Sequence, residues 1–462
     1  MNLGRLKGDS DFYRMVKVLV LPIVVQQGIT NFVNLLDNIM IGALGTLPMS
    51  GVAIINQLIF VFYLALFGGL SGVSIFGAQF WGVKDLDGMR HTFRFKLVFG
   101  VAIIACTCLL FYFKGGDLIM LWLDESVNSA DDIVDVLAYG TQYLRIMLFG
   151  LPAFMLAQAY INTLRETGET VAPMKASILA VLINFSGNYI LIFGHFGFPQ
   201  LGVAGAAIAT VASRWAEAAY IISHAHRHKE KYPFMDGALK SLYVPAALVK
   251  KILIKGSPLL FNEMLWAVGS TAINNSYASR GLTVVAASTI AGTAWQFFAV
   301  VMFSMGAAVS ILVGQKLGAG DIKGAIDINY KLLFLSFILH LGIGLALIAA
   351  SPFVPMLYKT EIAVRELATK MLIISGLALP VNAMINCAYF AIRSGGKTVI
   401  TFLFDCGFMW LVSVPLAFFL CRYTAMPIVW AFFIVRSSEV FKLAIALKML
   451  KSGFWAQNII ST

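Results

Sequence analysis

Charge is the scarcest commodity in this chain. Only 12% of the 462 residues are Asp, Glu, Lys or Arg, about half the share of an ordinary soluble domain. Acids are the rarer sign, 23 against 34 bases. Cysteine is nearly absent: Cys106, Cys108, Cys387, Cys406 and Cys421 are odd in number, scattered, and form no CxxC pair. They exclude a disulfide framework and read as small apolar packing residues. No GxSxG or HExxH occurs, and His195 and His340 are isolated, so neither a hydrolase site nor a zinc site is spelled out. The glycine-rich "GQKLGAG" lacks the GxxxxGK[ST] pattern, which excludes a P-loop. The polar start "MNLGRLKGDSDFYRMVK" has no apolar core with a cleavage site, so no removable signal peptide is expected.

What fills the chain instead is apolar: 59% of residues, with a mean hydropathy of +0.83. About 20 largely apolar residues cross a bilayer as a helix. Twelve such stretches run near 16–43, 50–78, 95–114, 134–163, 172–194, 203–223, 256–279, 284–312, 328–352, 367–392, 399–421 and 427–449. The expected class is an all-α polytopic membrane protein of twelve transmembrane helices. The net charge of +11 does not point to nucleic acid, because the bases sort by loop. With both termini inside, the outer side keeps seven of the 34 (Lys114, Arg145, Arg280, Lys359, Arg365, Lys370 and Arg422). That is the positive-inside bias, and it predicts cytoplasmic termini in a plasma (inner) membrane. The outer loop "WLDESVNSADDIVD" is acidic.

The chain repeats itself. At an offset of 236, Pro22 meets Pro258, Gln79 meets Gln315, Gly82 meets Gly318, Asp85 meets Asp321 and Gly88 meets Gly324. At 228, Pro152, Arg165, Gly168 and Thr170 meet Pro380, Arg393, Gly396 and Thr398. At 222, "RWAE" meets "RSSE". Each half has six spans and the same inside start, so the expected plan is two six-helix lobes, 1–223 and 256–462. They are parallel repeats about a pseudo-two-fold along the membrane normal. Residues 224–255 form a basic cytoplasmic linker. Its His224, His226 and His228 alternate as metal ligands can, but with no second ligand cluster a solvated linker is the reading preferred.

Ionisable groups at mid-bilayer are costly and mark function. Three stand out: Asp37, Glu263 and Asp405. Gln27, Thr30, Asn34, Asp37 and Asn38 make one polar stripe on the first helix, and Asn184 and Asn188 share a face of the fifth. A carboxylate among amides takes up a proton or shares a sodium ion with amide oxygens. Glu263, Trp266, Ser270, Asn274 and Tyr277 form a second stripe, whose acid and aromatic faces suit a lipophilic cation in a substrate cavity. The bland alternative sets Trp266 against lipid and Tyr277 in the interfacial belt. Glu263 and Asp405 each follow a lysine by eight residues, about 12 Å of helix, so their depths match. They are the expected proton or Na+ pair, with Asn382, Asn386 and Tyr389 completing the wall. The alternative for Asp405 is an ion pair with a nearby Lys or Arg. Arg165, Arg393 and the two Arg-x-x-Glu pairs read as locks or orientation charges at the inner edge.

Pro22, "NFVNLLDNIMIGALG", "GAQFWGVKD", "NYILIFGHFGFPQLGVAGAAIAT", "SPLLFNEMLW" and "VGQKLGAGD" together resemble the multidrug and toxic compound extrusion (MATE) family over nearly the whole chain. The resemblance implies a two-lobed antiporter, not an enzyme, that expels organic cations on an inward proton or sodium gradient. It implies no cofactor beyond the coupling ion, and a monomer whose partners are lipid and lipophilic cationic small molecules. Some members carry an Asp four residues after an Asn in the fifth helix, where this chain has Asn184 and Asn188. Others carry an acid where this chain has Asn382. Amides cannot carry a proton, whereas three acids remain, so proton coupling is expected ahead of sodium. A lipid-linked saccharide flippase is the alternative transporter; the acidic character of the placed intramembrane charges favours cationic cargo.

Overall fold

The computed structural model describes residues 7–123 and 129–461. Arg5 and two acids of the outer loop, Asp124 and Glu125, lie outside the described residues. Sixteen α-helices follow in chain order. The first seven are α1 Ser10–Gly42, α2 Thr46–Gly82, α3 Leu86–Met120, α4 Ala130–Met147, α5 Leu151–Glu166, α6 Val171–Phe193 and α7 Val203–Arg227. Then come α8 Ala246–Ala278, α9 Leu282–Phe298, α10 Val300–Gly318, α11 Ile322–Ala350, α12 Ile362–Ser394, α13 Thr398–Phe402, α14 Val414–Tyr423, α15 Ile428–Ser437 and α16 Glu439–Ser452. Two wide π-helical segments, Leu403–Gly407 and Met409–Ser413, join α13 to α14 as one span.

Among the described residues, eight helical spans are each long and apolar enough to cross a membrane, and a ninth forms if α4 and α5, bent by 48°, are one span. The other three of the twelve expected spans contain charge or a break. Helix α7 carries Arg214 and Glu217, α8 carries Glu263, and α15–α16 carry Arg436, Glu439 and Lys442.

Backbone contacts divide the chain into two compact units. One is Val25–Gly77 with Asp85–Lys250; the other is Met1–Val24 with Ala78–Lys84 and Lys251–Thr462. The second unit therefore includes the beginning of α1. Phe12, Val16, Leu19 and Val20 pack there with Met305, Val309, Leu332 and Ile392 in one apolar cluster. Pro22 lies just before the boundary, where its missing N–H interrupts the helical ladder.

The duplicated glycine motifs meet inside that unit. A Cβ on Gly82 would strike the carbonyl of Gln315, and one on Gly318 would strike the carbonyl of Gln79. The two backbones cross so closely that only hydrogen fits at either position. Asp85 and Asp321 then cap α3 and α11, each accepting the amide of the glycine three residues on at 2.9 Å. Gln79 is fully buried and grips the C-terminal tail: its amide donates to Ser394 O at 2.9 Å and accepts from Ile459 N at 2.8 Å.

The basic linker departs from a merely solvated segment. Tyr232, Phe234 and Met235 are buried, and Arg94 of α3 donates to Ala238 O at 2.8 Å and Gly237 O at 3.1 Å. Guanidinium donors satisfying free carbonyls hold the linker against the first unit. His226 meets the Tyr160 hydroxyl at 3.0 Å while His224 and His228 lie ring to ring at 4.3 Å, so the three imidazoles do not converge.

Candidate functional site

Each unit carries its own buried polar centre. In the first, Asp37 of α1 faces α6. Asn188 donates to Asp37 Oδ1 at 2.7 Å. The amide of Asn184, in the orientation that satisfies both of its ends, donates to both Asp37 oxygens at 2.9 Å and accepts from Thr210 Oγ1 at 3.1 Å. The four-residue spacing of Asn184 and Asn188 on α6 puts both amides at one carboxylate. No base bonds Asp37 among the described residues. Asn34 and Asn38 are exposed, Gln27 is half-buried, and none of the three bonds it.

About three turns earlier on α1, the sequence reading missed a buried residue. Gln26, not Gln27, is the buried glutamine of α1. It accepts from Arg165 at 2.6 Å and donates to Ser177 at 2.6 Å; Ser177 donates to Glu217 at 2.7 Å, and Glu217 pairs with Arg214 at 3.2 Å. This relay ties α5, α1, α6 and α7 together. A second buried pair was also missed. Lys96 of α3 lies 2.5 Å from Glu166 and donates to Thr163 at 2.9 Å, with both charged side chains almost wholly excluded from solvent.

In the second unit, Tyr389 of α12 donates to Glu263 at 3.2 Å. Asn262 donates to the Tyr389 oxygen at 3.2 Å and to Asp405 Oδ2 at 3.0 Å. Glu263 and Asp405 are thus linked through Asn262 and Tyr389. Asp405 has a further partner that the depth argument did not supply: Lys442 of α16, 2.5 Å away. Arg393 enters no ion pair among the described residues; its guanidinium lies over Tyr389 at 5.5 Å and Phe390 at 4.8 Å. Asn382 and Asn386 sit on the same helix, but each has a buried side-chain oxygen with no partner, and Tyr389 alone of that wall reaches an acid.

Trp266, Ser270, Asn274 and Tyr277 line one cavity of about 310 Å3, with Trp295, Phe408 and Phe432 among its other walls. Arg436, Glu439 and Lys442 also line it. Charges that the sequence placed at the inner edge therefore reach a cavity wall, and the charges lining it are mixed rather than acidic. Among the described residues no three His, Cys, Asp or Glu side chains stand together as a metal site. A sodium ion at Glu263 and Asp405 would therefore need amide and phenol oxygens to complete its shell.

The comparisons agree with this architecture. The family model MatE matches residues 22–190 and 258–419, one match in each repeat. The chain is 25% identical over 433 residues to the probable multidrug resistance protein YoeA of Bacillus subtilis, covering 92% of this chain and 90% of that protein. It is 22% identical over 452 residues to the probable multidrug resistance protein NorM of Thermotoga maritima, covering 96% and 93%. A crystal structure of a mutant of the Vibrio cholerae MATE transporter VcmN superposes with a TM-score of 0.85 at 17% identity, over 98% of this chain and 99% of that one. The outward-facing conformation of a multidrug resistance MATE family transporter of the MOP superfamily gives 0.83 at 18%, over 97% and 98%. The twelve-helix, two-lobed membrane fold expected from the sequence is the fold of these structures.

Proposed function

Because the chain belongs to the multidrug and toxic compound extrusion family, it is a multi-pass membrane transporter of small molecules rather than an enzyme, and we propose that it exports lipophilic organic cations in exchange for protons by alternating access. We place it in the plasma membrane as a monomer, with both termini on the cytoplasmic side.

The observation that carries this reading is the state of Asp37. It is a half-buried carboxylate held by two amides and bonded to no base. Amide donors favour the anion, and burial favours the neutral acid. A group balanced between the two releases one partner when it takes a proton. Protonation of Asp37 would cost it the bond from Asn188 or from Asn184 and loosen α1 from α6. Glu263 has the same character in the other unit, with the Tyr389 phenol as its donor. Asp405 is the third acid of the mechanism, and Lys442 already meets its charge. The cavity bounded by Trp266, Ser270, Asn274 and Tyr277 offers aromatic faces and polar atoms to a flat cation.

The test is purified protein in proteoliposomes, loaded with a fluorescent lipophilic cation, under a pH gradient without sodium. Efflux under that gradient is expected. Efflux that vanishes there and returns with a sodium gradient at constant pH overturns proton coupling. It would move the coupling site to sodium at Glu263, Asp405 and their amide neighbours.

A further inference from the structure

The repeat makes a comparison within the chain. Its offsets make Gln26 equivalent to Asn262, Ser177 to Asp405, Glu217 to Glu439 and Tyr220 to Lys442. In the first unit the relay runs through a neutral hydroxyl: Gln26 to Ser177 at 2.6 Å, then Ser177 to Glu217 at 2.7 Å. In the second unit the middle position has become a carboxylate, and an ammonium has arrived at the position of Tyr220. The two exchanges answer each other. Asp405 accepts from Asn262 at 3.0 Å, as Ser177 accepts from Gln26, but its other oxygen turns to Lys442 at 2.5 Å.

The surroundings of the Lys442 ammonium are those of a receptor for an amine. A carboxylate bonds it, and the rings of Phe404 and Phe408 lie 5.3 and 5.9 Å away. A carboxylate beside aromatic faces is the arrangement that recognises ligand ammonium groups. Phe404 and Asp405 belong to the π-helical turn Leu403–Gly407, and Phe408 follows it directly. Such wide turns interrupt the regular ladder and are common at functional sites. Lys442 and Phe408 also line the 310 Å3 cavity, so the ammonium stands at the edge of space that a small molecule can enter.

We propose that Lys442 is the resident cation of Asp405: its ammonium occupies a carboxylate-and-aromatic site built for organic cations, and a cationic ligand takes that site only by displacing it. The inference rests on the reading of this chain as an exporter of organic cations. It adds that the second unit selects its cargo by competition with a tethered lysine. A weakly hydrated organic cation competes well between two phenyl rings, whereas a small hydrated inorganic cation does not. When the ligand leaves, the lysine returns, and Asp405 is never left buried without a counter-charge.

The experiment titrates tetraphenylphosphonium into purified protein in detergent, following tryptophan fluorescence, since Trp266 and Trp295 line the cavity. Lys442→Gln is expected to bind about tenfold tighter than the unaltered protein, the effect of removing one competitor worth about 1.4 kcal/mol. Asp405→Asn with Lys442→Gln is expected to lose that gain, and Lys442→Arg to keep the original affinity. Should Lys442→Gln fail to fold, the unaltered protein still decides. Lys442 is then mapped by mass spectrometry after brief treatment with an amine-acylating reagent, with and without saturating tetraphenylphosphonium. Faster acylation with the cation bound supports displacement. Unchanged affinity in Lys442→Gln, a gain that survives loss of Asp405, or acylation of Lys442 unaffected by the cation overturns the proposal. These readouts are binding at equilibrium, so a failure of proton-coupled transport would leave them intact and is distinguishable from a failure of this site.

Discussion

Lys96 and Glu166 face each other at 2.5 Å with almost no solvent access to either. Removing one member leaves the other charge buried without its counter-charge, which costs about 3–5 kcal/mol. Lys96→Met is therefore expected to lower the thermal midpoint of the purified protein sharply. The double change Lys96→Met with Glu166→Leu should recover most of the loss, because a neutral pair of similar volume carries no desolvation debt. Equal midpoints for Lys96→Met and the unaltered protein would mean that the pair contributes nothing to folding.

Asp37→Asn preserves shape and removes the charge that Asn188 and Asn184 bond. The variant should reach the membrane in normal amount, while drug resistance in expressing cells falls to that of cells without the transporter. Immunoblots of membranes and growth in a lipophilic cation check both halves. Full resistance from a well-expressed variant contradicts the assignment of Asp37 to coupling.

Glu263 and Asp405 belong to one network through Asn262 and Tyr389. Groups in one network couple by about 0.5–3 kcal/mol. A double-mutant cycle of Glu263→Gln and Asp405→Asn on cation affinity should show non-additivity in that range. Tyr389→Phe, which removes the hydroxyl shared by the two arms, should abolish most of the coupling. Strict additivity with both single variants impaired would mark two independent sites.

The linker responds to acid through Glu169. Burial pushes this carboxyl up, but hydrogen bonds from Lys231, the Ala172 amide and Tyr232 outweigh it and hold the group below the ordinary glutamate value of 4.5. A depressed carboxylate stabilises the fold above its unfolded value, and that support is lost as pH falls through the folded one. Limited proteolysis near Lys229–Lys231 should therefore accelerate as the pH is lowered below about 4.5. Glu169→Gln should cleave readily at neutral pH and show little further change with acid.

Much of this was legible in the sequence, for reasons that also mark where legibility stops. Twelve apolar runs state the fold directly, because a bilayer leaves few alternatives. That Asn184 and Asn188 share one face of α6 follows from spacing alone; that the face meets Asp37 comes from the packing. Phase is harder: the polar stripe runs through Gln27, but Gln26 is the glutamine turned inward, since a one-residue step rotates the side chain by 100°. Partners from distant helices are harder still. Lys96, Glu166 and Lys442 sit near the ends of apolar runs, where a charge that snorkels to water reads the same as one that pairs inside. Only the packing of α3 on α5, and of α16 on the π-helical turn Leu403–Gly407, separates the two cases.

Gln79 is joined to Ile459, 380 residues further along the chain, and this sets an order for biosynthesis. Chains leave the ribosome N-terminus first. Phe12, Val16 and Leu19 therefore emerge long before Met305, Val309 and Ile392, the side chains they pack with. The Gln79 amide has Ser394 O to bind first, but its oxygen has no N–H from the tail until Ile459 has been made. The second unit cannot complete this joint until residue 459 has been made. A nascent chain stalled before Trp455 therefore lacks the tail segment that the Gln79 amide grips.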